Sequence, residues 1–216
     1  MRLARAFLYA AGIAGIGTIA AVFLVEDRSF TRTALDAVCW GAVAFCDAQS
    51  RRYLYPYLYG IAAPRNKTWD EAAVFSLIAV VLVDSFFCKS VDEFSSTVSA
   101  MGLALNISYA ALKGRCWIMR CCEFKRTTGI YAILGSRGIS SQPVEMVLSL
   151  ATFLAGALLL KNPVASALIS YLGHATIRYF DQLGRFSKMP WVALLRWRIL
   201  VFAGFAVLPM LLAALP

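Results

Sequence analysis

Long apolar runs separated by short basic stretches dominate this chain and limit what it can fold into. The first, 6–25, has 20 residues, enough for a helix to cross a hydrocarbon core of about 30 Å. Further runs cover 72–88, 94–112, 144–160, 163–180 and 199–215. The run 33–48 is shorter, and its 16 residues would make a helix of only about 24 Å. The expectation is an all-α, polytopic membrane bundle forming a single domain over 1–216, with seven transmembrane helices. The alternative keeps six spans and makes 33–48 a re-entrant or interfacial helix. Composition agrees: the chain is 60% hydrophobic and only 15% charged, where soluble domains carry about a quarter charged residues.

The loops set the direction. The stretch 113–137 holds Lys113, Arg115, Arg120, Lys125, Arg126 and Arg137 against one acid, Glu123. Lys and Arg near membrane ends stay on the cytoplasmic side. With alternating spans and the N-terminus inside, all but Arg28, Arg32, Lys89 and Lys161 of the 21 basic residues fall on that side. The six-span alternative exchanges Arg2 and Arg5 for Arg28 and Arg32 and gives the same bias. Seven is preferred because export of Arg2, Arg5 and a free amine is unfavourable. This predicts an integral membrane protein of bacterial inner-membrane type with its basic loops cytoplasmic. The first run is expected to be retained, rather than cleaved as a signal peptide or a mitochondrial presequence.

Most polar features have a structural explanation ready. In 6–25, Ala11 and Gly15, and Ala10, Ala14 and Thr18, follow the small-xxx-small spacing of close helix approach. Asp47 can pair with Arg51 at i,i+4. Tyr53, Tyr55, Tyr57 and Tyr59 alternate with Leu54, Pro56 and Leu58 and suit the headgroup level. In 94–112, Ser95, Ser99, Gly102, Asn106 and Ala110 share one helical face, which predicts a packing seam in preference to a wet path. Asp84 falls near the end of its run, within reach of headgroups or Lys89. Asp84 and Asn106 are nevertheless the candidates for a substrate or ion path.

The richest stripe lies in 163–180. Ser166, Ser170, His174 and Arg178 recur at i+4, Asp181 follows three later, and His174 is the chain's one histidine. His174, Arg178 and Asp181 are therefore the candidate catalytic residues. Arg178 would hold an anionic group, Asp181 would orient it by reaching back along a continued helix, and His174 would exchange protons near neutral pH. A packing seam ending in an interface anchor explains the same residues, and it is the preferred reading.

No nucleotide, zinc-protease or serine-hydrolase motif is present. Cys116, Cys121 and Cys122 lack the C-x-x-C spacing and the neighbouring histidine of a zinc site. No metal or cofactor is expected. The net charge of +9 is dispersed between apolar runs, which points to lipid headgroups rather than nucleic acid. Expected partners are the bilayer, anionic headgroups and other membrane proteins. The expected role is non-enzymatic: a scaffold, assembly factor or subunit of a larger membrane complex. A small transporter or channel, and a lipid-modifying enzyme, are the alternatives.

Overall fold

A computed structural model describes residues 2–25, 29–49, 69–88, 90–119, 141–185 and 197–214. Within them the chain is all-α, with seven helices and no strand. They are α1 (Arg2–Val25), α2 (Phe30–Gln49), α3 (Trp69–Phe87), α4 (Val91–Ile118), α5 (Ser141–Leu158), α6 (Pro163–Arg185) and α7 (Trp197–Ala213). The tyrosine run 53–59, the Asp47–Arg51 pairing, Cys121, Cys122 and most of the basic stretch 113–137 lie outside the residues or side chains described.

Side-chain contacts set the helix directions. Ser108 bonds the carbonyl of Ala11, and Phe7 packs on Gly114, so α1 runs antiparallel to α4. Lys113 pairs with Glu145, and Leu103 packs at Gly156, so α5 does the same. Ser99 bonds Ser166 and Tyr109 meets His174, so α6 is parallel to α4. Phe202 meets His174 and Phe205 meets Tyr171, which turns α7 back along α6. Ser76 bonds the carbonyl of Trp40 and Arg32 pairs with Asp84, so α2 and α3 are antiparallel. Consecutive helices therefore alternate in direction. The start of α1, the ends of α4 and α6, and the starts of α5 and α7 share one pole. Arg32, Asp84 and Glu93 sit at the other.

The helix ends differ from the apolar runs by several residues, most usefully in α2 and α4. α2 has 20 residues, extending 33–48 in both directions, and so measures about 30 Å. α4 has 28 residues and continues past Leu112, taking Lys113 into the helix. Charge had suggested a loop there, but the Lys113 ammonium is answered by Glu145 from α5. Local caps are clear. The Ser90 hydroxyl accepts from the Glu93 amide at 3.2 Å, with Asp92 and Glu93 in the first turn of α4. Asn162 Oδ1 accepts from the Ala165 amide at 3.1 Å, and Pro163 opens α6, where its missing N–H costs nothing.

α4 is the central helix and packs against α1, α3, α5, α6 and α7. Its residues from Ser95 to Asn106 are continuously buried although four of them are Ser or Thr. Large apolar side chains such as Phe23, Leu77 and Phe202 fill the core, but others lie outside: Phe86 is 84% exposed and Leu158 is 85% exposed, against 0% for Ser99 and Asn106. Among the described residues one helix, Ser141–Leu158, is by itself long and apolar enough to cross a membrane. Tyr9–Val25, Ala73–Phe87 and Ile199–Leu212 are shorter apolar stretches.

Candidate functional site

The α4–α5–α6 seam is built by small residues that bring backbones close. A methyl group at Gly156 would overlap the Ser170 hydroxyl and come within 2.9 Å of Leu103 Cδ2. One at Gly102 would lie 2.9 Å from Ser170 Cβ. Such approach lets side chains bond across helices, as small-residue interfaces in membranes do. Ser99 donates to Ser166 at 2.6 Å, and Ser166 donates to the Gly156 carbonyl at 2.8 Å. Asn106 Nδ2 donates to the carbonyls of Gly102 at 2.8 Å and Ser170 at 2.9 Å. The Tyr171 hydroxyl donates to the Val98 carbonyl at 3.0 Å. Asn106, a sequence candidate for an ion path, sits in this seam with its Nδ2 bonded to both carbonyls. Ala11 and Gly15 also pack on α4, as the Ser108 bond and the close approach of Ser108 to Gly15 record.

Towards the basic pole the seam becomes ionic. Arg178 Nη1 donates to Asp181 Oδ2 at 2.6 Å, because α6 continues to Arg185 and keeps the i+3 spacing. The same nitrogen reaches the Tyr109 hydroxyl at 2.7 Å, and that hydroxyl donates to Glu145 Oε2 at 2.7 Å. Lys113 closes the chain on Glu145. Lys113 Nζ and Arg178 Cζ lie 5.0 and 5.4 Å from the Tyr109 ring centroid, within reach of a cation–π attraction. The structure thus brings His174, Arg178 and Asp181 to one cluster and adds three residues that sequence reasoning passed over: Tyr109, Lys113 and Glu145. Two signals existed. Lys113 continues the spacing of Asn106 and Tyr109 on one face of α4, and Glu145 is an acid at the start of an apolar run.

His174 stands apart within this cluster. It is fully buried between two rings, edge-on to Tyr109 at 4.9 Å and to Phe202 at 4.7 Å between centroids. Neither ring nitrogen has a hydrogen-bond partner among the described residues. Asn106 Oδ1, Ser170 Oγ, Ser149 Oγ and Ser95 Oγ are likewise buried without a partner among them.

Asp84 belongs to a second cluster at the opposite pole. Arg32 donates to its Oδ1 from Nε at 3.1 Å and from Nη2 at 2.8 Å. Arg32 also contacts Glu93, the Phe87 carbonyl and Cys88 Sγ. This one guanidinium ties the start of α2 to the end of α3 and the start of α4. Asp84 is thus held by Arg32 and also accepts from the Cys88 thiol at 3.6 Å, while Lys89 lies outside the described residues. Among the described residues no group of three or more His, Cys, Asp or Glu is placed to hold a metal ion. Family models, curated proteins and solved structures were each compared with the chain, and none matches it.

Proposed function

We propose that this chain is a multi-pass membrane protein, of bacterial inner-membrane type with its basic pole cytoplasmic, acting as a non-enzymatic scaffold, assembly factor or subunit of a larger membrane complex. The observation that carries the reading is the distribution of side chains. Many large apolar groups face outward in addition to those of the core, while the charged groups of the interior answer one another: Lys113 with Glu145, Arg178 with Asp181, Arg32 with Asp84. A lipid solvent accepts so apolar an outer surface and requires interior polar groups to be met within the bundle. The alternating helix directions support seven spans over six, since α2 is antiparallel to α3 and long enough to cross. Charges already neutralised within the bundle favour a structural role over catalysis, because burying an ion is tolerable when it is paired and bonded.

Two measurements test the reading. The protein should resist alkaline extraction from membranes, and purification in mild detergent should retain partner proteins at fixed stoichiometry. Release by alkali overturns the membrane assignment. A partnerless monomer overturns the complex-subunit role and returns His174, Arg178 and Asp181 to candidacy as a lipid-modifying site.

A further inference from the structure

The polar seam between α4 and α6 runs nearly the length of the bundle. On α4 it passes from Lys113 and Tyr109 through Asn106 and Ser99 to Ser95; on α6 it passes from Asp181 and Arg178 through His174 and Ser170 to Ser166. Three of these, His174, Asn106 and Ser170, are fully buried and carry polar atoms with no partner among the described residues. A buried donor or acceptor left unmet costs about 1–3 kcal/mol, and a native structure keeps such groups for a reason. Packing alone supplies none, since His174 could be replaced by a hydrocarbon ring between Tyr109 and Phe202. Ordered water bridging these atoms would satisfy them.

We propose that the α4–α6 seam is a proton path in which His174 is the relay. Its entrance is the ionisable cluster at the basic pole, and Ser170, Asn106 and the bonded Ser99–Ser166 pair continue it. In the relay step a proton carried by water binds the lone pair of one ring nitrogen of neutral His174. The N–H bond on the other nitrogen then breaks, and its proton passes to a water oxygen held by Ser170 and Asn106. A ring flip restores the first tautomer. One proton enters and one leaves, with no oxidant or reductant. Proton exchange moves no heavy atom along the seam. A metal cation would instead have to travel bodily past the places where the helices touch at Gly102 and Gly156, whereas a proton needs only single waters held at fixed positions. The path therefore discriminates by mechanism, passing protons and refusing potassium.

The inference rests on the membrane assignment, and the test separates the two. The full chain is reconstituted into phosphatidylcholine vesicles with an entrapped pH dye, and insertion is checked by flotation after an alkaline wash. Failure to insert defeats the membrane assignment and the path with it. Inserted protein should pass protons about tenfold or more faster than protein-free vesicles, with valinomycin carrying potassium as counter-charge, and His174→Gln should remove most of that flux, as loss of a positioned proton-transfer group does. Potassium release measured without valinomycin should equal that of protein-free vesicles. Ser170→Ala, which gives up no hydrogen bond, should slow proton entry several-fold and serves where His174→Gln fails to assemble. Inserted protein without proton flux, a fully active His174→Gln or Ser170→Ala, or potassium release as fast as proton entry each overturns the path.

Discussion

The Tyr109 hydroxyl accepts a hydrogen bond from Arg178 and donates one to Glu145, each at 2.7 Å, and so joins α6 to α5 through α4. One phenol links two ion pairs that would otherwise be separate. Arg178 and Asp181 stay on a single helix, whereas Lys113 and Glu145 span two.

Removing one member of the inter-helix pair is therefore expected to be severe. Glu145→Gln leaves the Lys113 ammonium buried beside a neutral amide, and breaking such a pair costs about 3–5 kcal/mol. Tyr109→Phe keeps both ion pairs and loses about 1–3 kcal/mol. Thermal unfolding in detergent should rank the two in that order. Equal melting temperatures would show that Glu145 does not hold Lys113.

Close approach at Gly156 predicts a coupled pair of substitutions. Gly156→Ala alone should destabilise by about 1–3 kcal/mol, since the new methyl meets Ser170 and Leu103. Ser170→Ala removes the nearer obstacle and should recover part of the loss. Gly12→Ala and Gly17→Ala, where nothing lies within 4 Å, should be neutral or stabilising by up to about 1 kcal/mol. A double-mutant cycle between positions 156 and 170 that shows strict additivity would contradict the packing described.

Arg32→Lys keeps the charge but loses the fork that reaches Asp84, Glu93 and the Phe87 carbonyl together. A loss of about 1.5–3 kcal/mol is expected. Hydrogen exchange should rise at the start of α2 and the end of α3 and stay unchanged in α5 and α6. A rise spread evenly over all helices would mean that Arg32 is not a local tie.

The orientation proposed for the bundle gives two labelling outcomes. A reporter active only outside the cytoplasm should be silent when fused after Arg126. Ser29→Cys, in a background without native cysteines, should be labelled from outside intact cells. Protection of Ser29→Cys until permeabilisation would favour six spans.

Much of the helical order was legible because each helix carries an apolar run bounded by charge. The seam through Ser95, Ser99, Gly102 and Asn106 was legible from its spacing, which local geometry fixes. The ends of α2 and α4 were not. Arg32 and Lys113 look like loop residues until their partners, Asp84 and Glu145, arrive from other helices. The same holds for the site. His174, Arg178 and Asp181 form a pattern within one helix, whereas spacing puts Tyr109 and Lys113 on one face of α4 without saying that Glu145 and Arg178 from other helices meet them there.

The central place of α4 bears on how the protein is made. Its polar flank finds partners on α1 and α2, which precede it, but also on α5 and α6, which leave the ribosome later. In the membrane bundle proposed above, α4 would enter the bilayer when Lys113 has no Glu145, and Ser99 and Asn106 have no α6 to bond. A helix so polar is a poor lipid neighbour by itself. Insertion should therefore stall with α4 sheltered at the translocation machinery until α6 emerges. A ribosome arrested after α4 should yield that helix crosslinked to the machinery, and one arrested after α6 should yield it released.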